Sequence, residues 1–295
     1  MPNNPARSYL YYLFCQFFLV LSFTLSTNIA HSEETTINIQ VKSNITANAS
    51  YSLGEKAKPA VLLLHGFLGT REHATLKNLN TAIQDEGYST LAPTLSLGID
   101  KRKQSLACEA IHTHTMDNDV AEINHWVQWL IKKGHKKIIL LGHSFGSLNM
   151  LVYLKQYKTP EITYAIATSL IDIEHAIGKQ SVKNQLKEAY QQIKTNNKSL
   201  NEYKISYCKT FISTAETFVS YAKWGKSNIL SLLKLIKKPV HVIIGANDQR
   251  MDKNWPNLLT KQGTKVDIIT GANHFFSDEF EFELHDQVIN TLNKI

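Results

Sequence analysis

The sequence predicts an α/β fold with a mostly parallel central sheet and helices on both faces. Three observations carry that expectation. The aliphatic runs Ala60-Val61-Leu62-Leu63-Leu64, Ile138-Ile139-Leu140-Leu141 and Val240-His241-Val242-Ile243-Ile244 have the length and composition of strands buried on both faces. Segments of helical periodicity stand between them, and strand alternating with helix implies crossover connections and parallel pairing. The pentapeptide Gly142-His143-Ser144-Phe145-Gly146 joins one run directly to a helical pattern beginning near Ser147. It is a G-x-S-x-G turn in the strand-to-helix context that gives the pattern meaning.

Residues 1–32 differ in kind from the rest. They hold one charged side chain, Arg7, then an apolar stretch from Tyr9 to Leu25 and a small-residue region ending Asn28-Ile29-Ala30-His31-Ser32. That is the layout of a secretory signal peptide, which implies an exported, periplasmic or secreted protein. The alternative is an uncleaved membrane anchor through residues 9–25, a stretch near the lower limit for spanning a bilayer. Cys15 follows bulky Leu13-Phe14, a poor setting for lipid attachment.

The remaining residues, 33–295, read as one domain with an insertion. The alternating run Ile37-Asn38-Ile39-Gln40-Val41 suits an antiparallel edge strand. After the strand at 60–64 come a helix near 71–86 and a strand from Ser89 to Ala92 that ends at Pro93. A helix starting near Asp117 or Asp119 places Val120, Ile123, Val127, Leu130 and Ile131 on one face, and Gly134 stops it. The serine-bearing strand and helix follow, then a strand near 163–170. Residues 172–236 break the rhythm: they are rich in Lys, Gln and Asn and show helical stretches at 182–194 and 210–224, with no convincing strand. This segment reads as a helical lid over the carboxyl edge of the sheet. Its Phe211, Phe218, Tyr221, Trp224, Ile229 and Leu233 read first as side chains that pack the lid onto the core.

The formal charge of +7 is dispersed in small clusters such as Lys101-Arg102-Lys103, Lys132-Lys133 and Lys136-Lys137. It forms no basic stripe with interleaved aromatics, so nucleic acid is not an expected partner, while weak association with an anionic membrane surface stays open. Cys108 and Cys208 are the cysteines beyond the N-terminal segment. An even count in an exported chain favours a disulfide, the alternative being two separate buried thiols. Both lie in segments expected over the same sheet edge, so the bond would clamp the lid at the pocket mouth.

Four strand-end segments now stand in order. His65-Gly66-Phe67-Leu68-Gly69 follows the first run, and Gly142-His143-Ser144-Phe145-Gly146 follows the second. The third run ends in Gly245-Ala246-Asn247-Asp248, and Val266-Asp267-Ile268-Ile269-Thr270 leads into Gly271-Ala272-Asn273-His274. Over roughly residues 55–295 the chain resembles the α/β-hydrolase family of serine esterases and lipases, with the order Ser…Asp…His. The resemblance implies Ser144 as nucleophile, His274 as general base and Asp248 as the carboxylate that orients it. It also implies an oxyanion hole from the backbone N–H groups of Phe67 and Phe145, and no cofactor. Asp172, after the preceding strand, is the rival acid, and Asp252 reads as a cap for backbone donors. His112 and His114 form an H-x-H pair, but no neighbouring ligand spacing completes a metal site, so polar packing is the expected role.

The expected activity is hydrolysis of a carboxylic ester, small or lipid-like, through an acyl-enzyme. A peptidase, amidase or thioesterase of the same fold is the alternative, because a triad is silent on which acyl group the pocket admits. A binding protein that has lost catalysis is the reading from a different class.

Overall fold

Short aliphatic runs can bury both faces of a strand only if helices cover the sheet on two sides, and that is how this chain is built. The computed structural model describes residues 34–295; the predicted signal segment, 1–32, lies outside the described residues. The described elements begin with β1 (Thr35–Lys42), β2 (Ile45–Ser52), β3 (Ala60–Leu64), α1 (Ala74–Asp85), β4 (Ser89–Thr94) and β5 (Ile111–His112). Next come α2 (Met116–Lys132), β6 (Ile138–His143), α3 (Phe145–Gln156) and β7 (Ile162–Thr168). An insertion holds α4 (Ile173–Ile177), α5 (Lys179–Lys194), β8 (Asn201–Ile205), β9 (Cys208–Ser213), α6 (Ala215–Ala222) and α7 (Lys226–Leu235). The chain then completes with β10 (Val240–Gly245), α8 (Trp255–Lys261), β11 (Lys265–Ile269) and α9 (Phe280–Leu292).

The main sheet has the order β1-β2-β4-β3-β6-β7-β10-β11. β1, β2 and β4 pair antiparallel, and from β4 onward every pairing is parallel. Alternate residues of the central strands feed two separate cores. Leu62, Leu64, Leu140, Val242 and Ile244 pack on one face with Val120, Ile123, Trp126 and Val127 of α2, with Leu148 and Leu151 of α3, and with Trp255 of α8. Val61, Leu63, Ile139, Leu141 and Ile243 pack on the other with Leu76, Leu79 and Ile83 of α1 and Leu284, Val288 and Leu292 of α9. Each buried aliphatic side chain contributes about 1.5–3 kcal/mol relative to exposure, so the two-sided burial selects this register.

Local signals set the helix ends. Thr115 caps α2, its hydroxyl accepting from the Asn118 N–H, with Asp117 and Asp119 in the first turn where the helix dipole favours carboxylates. After the helix, Gly134 adopts φ 99° and donates to the Ile131 carbonyl.

Three expectations are corrected. β4 runs through Pro93 to Thr94, because its pairing with β3 ends at Leu91 while its pairing with β2 continues. A residue without an N–H is tolerated where one side of the strand has no ladder to join. β2, unrecognised in the sequence, sits between β1 and β4. The insertion is not wholly helical: β8 and β9 pair antiparallel, and β9 pairs with β5 to make a second sheet. The predicted helix at 210–224 is β9 to Ser213 and then α6, with Thr214 as its cap. The Lys- and Glu-bearing faces of these short strands are exposed while Tyr203, Ile205 and Phe211 are buried; Tyr203 stacks on Phe218 with ring centres 4.0 Å apart.

The expected disulfide joins Cys108 to Cys208 with their Cα atoms 5.4 Å apart. It ties the segment before α2 to the start of β9. Among the described residues no helix is long and apolar enough to cross a membrane.

Candidate active site

Parallel strands end at one edge of a sheet, and four of them deliver the predicted site residues there. β3 leads to Gly66 and Phe67, β6 to Ser144, β10 to Asp248 and β11 to His274. Only Ser144 separates β6 from α3, and it makes the reversal at φ 56°, ψ −119°. Such a conformation costs about 1–3 kcal/mol and persists only where the surroundings enforce it. The Ser144 N–H donates to the Thr168 carbonyl at 2.9 Å on neighbouring β7. The flanking glycines are required by space. A Cβ on Gly142 would stand 2.4 Å from the Gly146 backbone, and one on Gly146 would stand 2.2 Å from the Leu64 carbonyl oxygen.

The turn aims the hydroxyl at His274. His274 Nε2 lies 2.9 Å from Ser144 Oγ, and His274 Nδ1 lies 2.6 Å from Asp248 Oδ2. A carboxylate only accepts, so the proton sits on Nδ1 and leaves Nε2 bare toward the serine. The other Asp248 oxygen accepts from the Arg250 N–H at 2.8 Å. The loop bearing His274 is held by the Ser169 hydroxyl, which donates to the His274 carbonyl, and by the Thr75 hydroxyl, which donates to the Phe275 carbonyl. Ser144, His274 and Asp248 are all buried.

The two predicted donors flank the serine. Phe145 follows it at the start of α3. Gly66 comes so close that a Cβ there would lie 3.4 Å from Ser144 Cβ, which brings Phe67 alongside. The Phe67 and Phe145 rings stand 4.7 Å apart, and neither residue's N–H has an acceptor among the described residues.

Three further residues hold this loop, and sequence reasoning assigned them nothing. The Leu95 N–H donates to His65 Nε2 at 3.0 Å, so the proton of His65 is on Nδ1, which donates to the Gly66 carbonyl at 2.8 Å. Burial, with Arg102 beside it, pushes the His65 pKa down to about 3, so the ring stays neutral and keeps that tautomer. Arg102 donates to the carbonyls of Leu95, Gln104 and Gly69, and burial lowers its pKa to about 10. From the insertion, the Tyr207 hydroxyl donates to the Phe67 carbonyl at 3.0 Å. Only His65 carried a sequence signal, its place immediately before Gly66.

Two chambers of about 200 and 180 Å³ share Ser144, Tyr207 and Arg250 in their walls. The first is lined also by Gly66, Phe67, Leu76, His143 and Phe275, the second by Ile171, His175, Ser206, Gln249 and His274. Each is smaller than a pocket for a drug-sized ligand. Burial, followed by the charges of His274 and its neighbours, holds the His143 pKa well below the usual histidine range and lowers that of His73.

The rival residues stand elsewhere. Asp172 caps α4 by accepting from the His175 N–H, accepts from the Asp252 N–H and pairs with Lys226 at 3.3 Å. Asp252 accepts from the Asn254 N–H and pairs with Lys226. His112 stacks on Phe211 at 4.3 Å, and His114 Nδ1 lies 2.5 Å from the Tyr221 hydroxyl, so both pack the insertion against the segment before α2. Among the described residues no group of three His, Cys, Asp or Glu side chains is disposed to hold a metal ion.

The sequence profile described as the alpha/beta hydrolase fold matches residues 59–170. Comparison with curated protein sequences gave no match. Among solved structures the chain is similar to Est1E from Butyrivibrio proteoclasticus, at TM-score 0.62 and 15% identity, covering 88% of this chain and 99% of that one. It is similar also to the alpha/beta hydrolase GrgF from Penicillium sp. sh18, at TM-score 0.66 and 15% identity over 89% and 98% of the two chains. A third is the Pyrococcus furiosus esterase Pf2001, at TM-score 0.61 and 19% identity over 89% and 91%. The sheet order, the strand-end loops and these likenesses agree: the chain is an α/β-hydrolase-fold protein.

Proposed function

We propose that the protein is an exported serine hydrolase that cleaves a carboxylic ester through an acyl-enzyme on Ser144. The observation that carries the proposal is the buried chain Ser144 Oγ, His274 Nε2, His274 Nδ1, Asp248 Oδ2, with links of 2.9 and 2.6 Å at the meeting of two chambers. Ser144 Oγ attacks the ester carbonyl carbon as its proton passes to His274 Nε2, and Asp248 stabilises the imidazolium that forms. The negative charge on the carbonyl oxygen is met by the N–H groups of Phe67 and Phe145, each such donor contributing about 3–4 kcal/mol of transition-state stabilisation. The ester C–O bond breaks, and the alcohol leaves with the proton held on His274. Water then attacks the acyl-enzyme, its proton passing to His274, and the acid departs as Ser144 regains its hydrogen. The esterases among the similar folds support an ester over an amide, and the Cys108–Cys208 bond is consistent with an oxidising compartment.

A fluorophosphonate probe tests the nucleophile. The mature protein is expected to label, and Ser144→Ala to abolish labelling; labelling of that variant at another residue overturns the assignment. Turnover of p-nitrophenyl esters against amino-acid p-nitroanilides separates esterase from peptidase. The mass of protein recovered from the exported compartment tests cleavage of the N-terminal segment.

A further inference from the structure

We infer that Arg250 recognises a carboxylate on the substrate, so that the preferred ester carries an anionic group a few methylenes from its reacting carbonyl; this inference rests on the serine-hydrolase reading. The guanidinium lies between the rings of Tyr207 and Phe275, 5.6 and 4.7 Å from their centres, in the wall of both chambers that meet at Ser144. Ring faces hold a guanidinium in place without using its N–H donors.

Those donors are otherwise unclaimed. Of the described arginines, Arg102 gives its donors to backbone carbonyls, and Arg71 pairs with Glu72 and donates to Asn48 and Thr94. The Arg250 side chain has neither an ion pair nor a hydrogen bond among the described residues; only its backbone N–H is engaged, by Asp248. Neither chamber has an Asp or Glu in its wall, so nothing there neutralises the charge. Asp248, whose carboxylate takes the Arg250 backbone N–H, is buried and held by His274. A half-buried fixed cation with free planar donors, beside a nucleophile and with no carboxylate of the described residues within ion-pair distance, is a receptor for an anion that the substrate must bring. The apolar neighbours Phe67, Leu76 and Phe275 suit the methylenes that join that anion to the ester.

The test compares charged and neutral esters of equal length. Monomethyl adipate against methyl hexanoate places the carboxylate on the acyl side, and 6-acetoxyhexanoate against hexyl acetate places it on the alcohol side. The wild-type enzyme is expected to favour the anionic ester in at least one pair by about tenfold in kcat/KM, the scale of one charge-assisted hydrogen bond. Arg250→Met is expected to lose the preference, and Arg250→Lys, which keeps a cation, to retain part of it. Equal turnover within both pairs, or a preference that survives in Arg250→Met, overturns the inference. Calorimetric titration with adipate, with 1,6-hexanediol as the neutral control, reads binding without turnover. If no ester is hydrolysed and Ser144 does not label, the hydrolase reading fails. Adipate binding that is lost in Arg250→Met then still upholds the anion site, and absence of adipate binding refutes it.

Discussion

The Tyr207 hydroxyl donates to the Phe67 carbonyl at 3.0 Å, so a residue of the insertion holds the loop that Gly66 brings against Ser144. The insertion therefore acts on the position of a proposed oxyanion donor, Phe67, as well as on the walls of the chambers. Tyr207→Phe removes that hydrogen bond and keeps the ring between Phe67 and Arg250. A neutral hydrogen bond contributes about 1 kcal/mol, so kcat/KM on a short ester is expected to fall about fivefold, mainly in kcat. Steady-state kinetics on a matched pair of proteins checks this. An unchanged kcat would mean that the Phe67 loop holds its position without the insertion.

The disulfide acts next to that contact, since Cys208 follows Tyr207 directly. By the chain-entropy model, a crosslink across a separation of 100 residues contributes about 4–5 kcal/mol through the unfolded state. Reduction, or Cys108→Ser with Cys208→Ser, is expected to lower Tm by roughly 10 °C or more for a chain of this size. It is also expected to change selectivity among acyl chains while Ser144 still labels. Thermal unfolding with and without reductant, followed by probe labelling, reads both effects. Mass spectrometry of non-reduced peptides from exported protein is the direct check on the bond, and two free thiols there would refute the clamp.

Glu122 makes stability depend on pH. It is buried in α2, with both carboxyl oxygens against the Ser96 N–H at 2.9 and 3.0 Å. Burial outweighs these bonds and raises its pKa from 4.5 to about 7. A carboxyl raised in the folded state contributes stability that is fully present below about pH 4.5 and is lost as pH rises through about 7. The loss is about 3 kcal/mol at most. His65, depressed to about 3, works in the opposite sense: its contribution is present above the ordinary histidine value and is lost as pH falls. The prediction therefore concerns a difference. Urea unfolding of wild type and Glu122→Gln at pH 5 and pH 8 is expected to show the variant gaining on the wild type by about 2–3 kcal/mol across that interval. A gap that does not change with pH would assign Glu122 an ordinary pKa.

The sequence by itself determined the alternation of buried strands and helices and the order Ser144, Asp248, His274. Those features are local. An aliphatic run reports its own two-sided burial, and a glycine-flanked serine reports the turn that confines it. Parallel pairing then carries the ends of β3, β6, β10 and β11 to one edge without further instruction. The distance that sets Asp248 apart from Asp172 belongs to the tertiary structure: both follow strands that end at that edge, the strand–turn pattern favoured Asp248, and the fold then puts its carboxylate 2.6 Å from His274 while Asp172 caps α4. The same is true of β8 and β9, whose polar, lysine-bearing residues lack the apolar run that marks a buried strand. Their strand form depends on pairing with each other and with β5, far back in the sequence. Tyr207 and Arg250 carried no motif for the same reason. What they do rests on contacts with Phe67 and Phe275, and a contact between residues remote in sequence leaves no local pattern to read.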